Sequence, residues 1–299
     1  MRHAVLGVGG VGGFVGAVLA HGGERVTLLL RKGTLAAHPE ALDLESPLGE
    51  ITAPCARAER LQEEVDFLWV TTKATQLDAA LALVPEPARA RMVVPLLNGI
   101  EHLARLRSRF GDRAVVPGTI AGEFERQAPG HIVHRSPFAR FAFAAAGQAQ
   151  LAGVAEILTG FGCTCSFEPD ELTLLWRKLV LLAPMALATT AAGMTVGELR
   201  ADPEWGPLFE AVAREASAVG AASGARVDAE QTLVALRGFP ATLRSSMQKD
   251  VAAGRPPELD AIGGPIQRGG RVHRIPVPAT EYLVAAIARR AGAETTTAP

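Results

Sequence analysis

The stretch that decides the fold is His3-Ala4-Val5-Leu6-Gly7-Val8-Gly9-Gly10-Val11-Gly12, residues 3–12. It opens as an aliphatic run, passes through a Gly-x-Gly-x-x-Gly pattern at Gly7, Gly9 and Gly12, and continues as an apolar segment to Ala20. A second aliphatic run, RVTLLL, ends at Leu30. Strand, glycine turn, helix and strand, in that order, are what a dinucleotide-binding βαβ unit requires. The first glycine permits the tight turn and the second lets the backbone approach a pyrophosphate. The third lets the helix lie close on the strand, with the phosphate at the helix N-terminus. In a chain with 31 glycines the pattern alone says little, and its weight comes from the flanking strand and helix. The competing reading is a glycine-rich turn that holds no ligand.

Further aliphatic runs at 65–71 (VDFLWVT) and 92–97 (MVVPLL) read as buried parallel strands. Residues 131–146 read as a strand pair turning at Ser136-Pro137. From about residue 149 the texture changes to helical segments at 149–160, 171–192, 205–223, 228–237 and 278–291. The expected fold is therefore α/β: a Rossmann-type dinucleotide-binding domain over residues 1–168, then an all-helical domain over 169–299. Residues 292–299 read as a frayed tail, and no internal repeat is visible.

Composition narrows the function. A length of 299 residues suits two domains of roughly 100–200 residues each. The chain is 48% hydrophobic and carries 30 basic against 31 acidic residues, which excludes a disordered chain and gives no electrostatic reason for a nucleic-acid partner. Cys55, Cys163 and Cys165 cannot form a disulfide framework, and no Cys/His cluster has metal-ligand spacing. A cytoplasmic enzyme or binding protein without a metal is expected. Residues 4–20 are uncharged and superficially resemble a signal peptide, but six of the seventeen are glycine. The apolar stretch 179–192 is too short to span a bilayer and contains Pro184, so a buried helix is expected and no membrane partner.

Individual residues sharpen the picture. A dinucleotide site selective for NAD usually places Asp or Glu about 20 residues past the glycines. Here Arg31-Lys32 stands there, and a guanidinium suits a 2′-phosphate, so NADP(H) is favoured over a solvated surface arginine. Lys73 and Asn98-Gly99 follow the third and fourth strands, at the carboxyl edge where ligands bind; ordinary turn residues would sit there equally well. Only four lysines accompany 26 arginines, and one of them, Lys178, lies in the apolar segment LTLLWRKLVLLAPMALATTA. Leu182 and Ala186 follow it at i+4 and i+8. An amine on such a face is partly desolvated, its pKa falls, and it suits a proton donor. The plainer reading is a lysine whose stem packs on leucine while its head reaches water.

In order along the chain, AVLGVGGVGG, LLLRKG, LESPLGE, TTKATQ, LLNGIEHL and PGHIV, then ELTLLWRKLV, GELR, SSMQKD and RPPELDAIGG, resemble the landmarks of the ketopantoate reductase (2-dehydropantoate 2-reductase) family. The resemblance runs over nearly the whole length. It implies that Gly7, Gly9 and Gly12 cradle the NADPH pyrophosphate, that Arg31 binds the 2′-phosphate, and that Lys73 and Gln76 lie along the adenosine end. It further implies Asn98 between nicotinamide and catalytic lysine, Lys178 as proton donor, Ser246 as a substrate-binding serine, and Glu258 as the acid that orients lysine and cofactor. The implied reaction is hydride transfer from NADPH to the keto carbon of a 2-oxo acid, in a cleft between the two domains.

Departures accompany the matches. The family usually carries asparagines four and eight positions after the lysine, where this chain has Leu182 and Ala186. Val196 and Gly263 stand where asparagine is found in some or most members. A pocket stripped of amides disfavours a substrate rich in polar groups, so a more apolar analogue of 2-dehydropantoate suits it better. An alternative is a non-catalytic NADP(H)-binding redox sensor; the retained Lys178, Ser246 and Glu258 argue against it. A dehydrogenase of 3-hydroxy acids, which also uses a helix lysine, would lack the SSMQKD and PELD pair. The assembly stays open, a homodimer among the candidates.

Overall fold

The computed structural model of the chain describes residues 1–85 and 89–292. The expected frayed tail, apart from Gly292, lies outside the described residues. The chain divides into two compact units, one formed by Met1–Leu97 with His102–Leu174, the other by Asn98–Glu101 with the chain from Leu175 onward.

The first unit is built on a five-stranded parallel sheet in the order Ala56–Ala58, Arg25–Leu29, Arg2–Leu6, Val65–Val70, Ala90–Pro95. This is the strand order of a doubly wound dinucleotide-binding half. Four of the five residues of the first strand and five of the six of the third aliphatic run are buried, as expected for parallel strands covered on both faces. The glycine-rich segment forms the helix Gly10–His21, which packs on this sheet and on a second, four-stranded sheet. The second sheet runs Ile51–Pro54, Ala41–Glu45, His131–His134, Phe124–Ala128. Phe14 from the helix meets Phe124, His134 and Phe141 with ring centroids 4.7, 5.1 and 6.4 Å away. A third sheet orders Thr164–Glu168, Arg140–Ala144, Gly118–Ala121.

The strands expected at 131–146 both exist, but they do not pair with each other. His131–His134 joins the second sheet and Arg140–Ala144 the third. His131–His134 pairs with the strand just before it and with Ala41–Glu45, Arg140–Ala144 with Gly118–Ala121 and Thr164–Glu168, so Ser136-Pro137 turns between sheets rather than within a hairpin.

The second unit is helical. Its longest element, Glu171–Ala192, coincides with the expected helix, and its first turn contributes Leu174 to the core of the first unit. By length and composition it is long enough to cross a membrane, longer than its apolar stretch alone suggested, and 67% of its most apolar window is buried inside the protein. The helices Trp205–Ala222, Ala229–Arg237, Gly264–His273 and Pro278–Arg290 complete the bundle around Trp176, Leu187, Phe209, Ile266 and Leu283.

Gly264–His273 ends on Arg274 at φ 57°, ψ 39°, the one non-glycine residue with positive φ among the described residues. A left-handed helix terminus favours glycine because a Cβ there crowds the following carbonyl. Arg274→Gly is expected to raise the unfolding free energy by about 0.5–1 kcal/mol after the flexibility of glycine is deducted. Denaturant titration of both proteins checks this, and an unchanged or lowered midpoint would count against strain at that cap.

Candidate active site

In the first unit, parallel register sets where the glycine turn and its neighbours leave the sheet. Leu6 lies beside Leu29 and Val70, and Val70 beside Pro95, so the strands end level. Gly7, Arg31 and Lys73 therefore leave the sheet at one carboxyl edge, where ligands bind in open α/β sheets. Gly7 turns the chain at φ +102°, and an added Cβ there would come within 2.5 Å of the Thr72 backbone nitrogen. A Cβ at Gly12 would lie 2.3 Å from the Gly7 carbonyl oxygen, so the close approach of helix to strand depends on its absence. A Cβ at Gly9 would meet nothing within 4 Å, which leaves open space over the middle of the turn.

The Gly10–His21 helix has no side-chain cap, so its first-turn N–H groups are free to meet an anion. Two residues that the sequence reading did not single out shape this turn. Thr71 donates its hydroxyl to the Gly7 carbonyl at 2.8 Å, fastening the turn to the neighbouring strand. Arg126 reaches in from its strand and donates to the Val8 carbonyl at 3.3 Å. Thr71 lies in the TTKATQ string, but no sequence signal marks Arg126, which comes from the second sheet. Beside them the buried Thr72 hydroxyl has no hydrogen-bond partner among the described residues. Arg31 and Lys32 are exposed at the start of the short Lys32–Leu35 helix. Lys73 precedes the Ala74–Gln76 turn, on which Gln76 is exposed.

The second unit carries a separate cluster of the residues singled out from the sequence. Lys178 sits one turn into the apolar part of its helix, half-buried, with the buried Leu179 and Val180 following it. Desolvation pulls the amine down from its ordinary value to about 8, while the nearby Glu258 carboxylate works against that fall. Glu258 is itself buried at the start of the Leu259–Ile262 turn, and Asn98 donates its side-chain amide to it at 3.2 Å. Asn98 follows a strand of the first unit in sequence, yet its segment belongs to the second. Lys178, Glu258 and Asn98 thus come together within one unit from three segments.

Ser246 is exposed as the first residue of the helix Ser246–Ala252. Its neighbour Ser245 is buried and accepts from the Gln248 backbone at 3.1 Å as the N-cap. Thr189 donates to the Met185 carbonyl at 2.7 Å, so the 2.8 Å contact between Thr189 and Ser245 leaves Ser245 as its donor. This hydroxyl chain bolts the helix carrying Ser246 to the helix carrying Lys178. Nothing in the sequence distinguished the two adjacent serines.

Leu182 is half-buried, and Ala186 and Val196 are fully buried. A Cβ at Gly263 would lie 2.5 Å from a Val284 methyl, so hydrocarbon already fills the space an amide would need. Among the described residues no group of three or more His, Cys, Asp or Glu could hold a metal ion.

Comparison with known proteins adds the following. The family model for ketopantoate reductase PanE/ApbA matches residues 3–147, and the model for its C-terminal part matches residues 171–291. A 2-dehydropantoate 2-reductase of Caulobacter vibrioides is 32% identical over 295 residues, covering 94% of this chain and 96% of the relative. The crystal structure of a PanE/ApbA family ketopantoate reductase from Ralstonia eutropha superposes with a TM-score of 0.87 at 25% identity, covering 98% of this chain and 99% of that one. A D-mandelate dehydrogenase, solved with NADH and anilino(oxo)acetate, shares the fold with a TM-score of 0.86 at 20% identity over 98% of this chain and 99% of its own.

Replacing Glu258 by Gln removes the charge that supports the Lys178 ammonium. The Lys178 pKa is then expected to drop by about one unit below its wild-type value. Isotope-labelled lysine NMR reads this directly, since the chain has only four lysines. An unchanged titration would show that Glu258 does not act on the amine.

Proposed function

Because the chain belongs to the ketopantoate reductase family, we propose that it is an NADPH-dependent reductase converting the keto carbon of a 2-oxo acid to an alcohol, with Lys178 as proton donor. The observation that carries this reading is the Lys178 amine, lowered by burial to about 8 and acted on by Glu258, whose carboxylate accepts from Asn98. The substrate is 2-dehydropantoate or a more apolar analogue, the latter favoured by Leu182, Ala186, Val196 and the filled niche at Gly263.

The residues present fit a dinucleotide. The uncapped helix start and the open space at Gly9 suit a pyrophosphate, with Gly7 and Gly12 keeping the turn tight. The unpartnered Thr72 hydroxyl lies against the same turn. Exposed Arg31 suits a 2′-phosphate, Lys73 and Gln76 the adenosine end, and Asn98 the nicotinamide end. When bound, the cofactor supplies the hydride.

Lys178 releases a proton from Nζ to the oxygen of the developing alkoxide and, while charged, stabilises the negative charge that builds there. Burial makes the amine a better acid than a surface lysine, and the Glu258 carboxylate favours its charged form. Asn98 orients the Glu258 carboxylate, and the Ser246 hydroxyl is available to a polar group of the substrate.

Lys178→Ala is expected to lower turnover about 10²–10⁴-fold while leaving NADPH affinity nearly intact. Loss of cofactor binding with undiminished turnover per bound complex would remove Lys178 from the chemistry. The donor must be protonated, so reduction falls as pH rises through about 8, and the reverse oxidation, which needs the neutral amine, rises over the same range. NADPH oxidation against a panel of 2-oxo acids between pH 6 and about 10 reads this. A flat profile rejects the assignment. Arg31→Asp should cost NADPH binding at least about tenfold relative to NADH, the size of one lost charge-assisted bond. Equal binding of the two cofactors by the unaltered protein would sink the NADP(H) preference.

A further inference from the structure

Three contacts join the Asn98–Glu101 segment to the turn that carries Glu258. Asn98 donates to Glu258 at 3.2 Å. Gly99, at φ +81°, lies so close to the Ala261 carbonyl that a Cβ would stand 2.3 Å from its oxygen. At the far end, Arg268 donates from Nε to Glu101 at 2.8 Å and from Nη2 to the other oxygen of the same carboxylate, while its Nη1 donates to Asp260 at 2.7 Å. The guanidinium thus grips one carboxylate from each side of the junction. Gly264 makes room for it: a Cβ there would lie 2.1 Å from Arg268 Nη2 and 2.7 Å from the Asp260 carboxylate.

We propose that Arg268 is a positioning residue for the reduction, bracing the Asn98–Glu101 segment against the Glu258–Gly264 turn so that Asn98 stays on the Glu258 carboxylate. The proposal rests on Lys178 being the proton donor. The fork touches neither substrate nor cofactor in this role; it acts through two steps of geometry. Glu101 is three residues from Asn98, and Asp260 two from Glu258, so fixing one pair limits the travel of the other. The Asn98–Glu258 bond, at 3.2 Å, is at the long end of the hydrogen-bond range, and the Arg268 fork adds charge-assisted bonds between the same two segments. Arginine suits the task and lysine does not, because only a planar fork can make a two-point bond to one carboxylate and still reach a second.

Global stability is not the purpose of the clamp. Arg268 and Glu101 are 40% and 46% exposed and Asp260 83%, and ion pairs in such settings add little to folding. Loosening it is therefore expected to leave the melting temperature nearly unchanged while Glu258 drifts from the Lys178 amine. Burial then acts on the amine with less opposition, its pKa falls, and the alkaline limb of the reduction moves to lower pH.

The test uses the full chain, with Arg268→Met, Arg268→Lys and Gly264→Ala measured beside Lys178→Ala. Arg268→Met and Gly264→Ala are expected to lower kcat about ten- to hundredfold, as a small displacement of a reacting group does, with the KM for NADPH unchanged. Both should move the alkaline limb down by about one unit, with Arg268→Lys between them and the unaltered protein. Gly264→Ala keeps every charge and places alanine at the start of a helix, so it displaces the guanidinium even if Arg268→Met fails to fold. Unaltered kcat and pH profile in Gly264→Ala, or in a folded Arg268→Met, overturn the proposal. A fall in kcat with the alkaline limb unmoved also overturns it, because that is general loosening rather than positioning. Full turnover by Lys178→Ala would overturn the underlying donor assignment instead, whatever the Arg268 variants do.

Discussion

An amine set against hydrocarbon must either lose its proton or find a carboxylate, and the second unit of this protein is organised by that constraint. Along its helix Lys178 has leucine at every position three and four residues away, Leu174, Leu175, Leu181 and Leu182. The counter-charge comes from Glu258, eighty residues later, and the amide that orients Glu258 comes from Asn98, eighty residues earlier. The balance leaves the amine near pKa 8, between full neutralisation and the inertness of a surface lysine. A group poised there can give up and regain a proton close to neutral pH, which is what an acid catalyst needs.

The positions at which the family resemblance led one to expect amides hold hydrocarbon instead. Ala186 and Val196 are buried, Leu182 is half-buried, and Val284 occupies the space beside Gly263. Hydrocarbon in these places is the basis on which a 2-oxo acid with an apolar side chain is proposed as substrate.

The glycine turn at the head of the first unit works by a different economy of space. It needs strand and helix to touch almost backbone to backbone, and Gly7 and Gly12 allow that. Its signal was therefore local and readable: the spacing of three glycines between two aliphatic runs. Arg31 was legible for the same reason, being counted along the chain from the turn. The partners that hold the turn were not. Thr71 fastens it from a parallel strand, and Arg126 approaches from another sheet, at sequence distances over which no periodicity carries information. Ser245, which anchors the helix start beside Ser246, was hidden because adjacent serines are alike in sequence and differ only in which one turns inward.

Many of the elements were determined by the amino-acid sequence alone: four of the five strands of the parallel sheet and the helices read at 149–160, 171–192, 205–223, 228–237 and 278–291 follow from side-chain period and from breaks at glycine and proline. The strand Ala56–Ala58 and the helices Val196–Ala201, Ser246–Ala252 and Gly264–His273 did not show in that pattern. Pairing was decided by tertiary structure. The two strands flanking Ser136-Pro137 went to different sheets, and Asn98-Gly99, read as following the fourth strand at the sheet's carboxyl edge, joined the helical unit with the rest of 98–101. The division has one physical reason. Backbone conformation is settled by forces acting over a few residues, whereas hydrogen-bond partners and counter-charges are chosen by whatever the collapsed chain brings within about 3 Å.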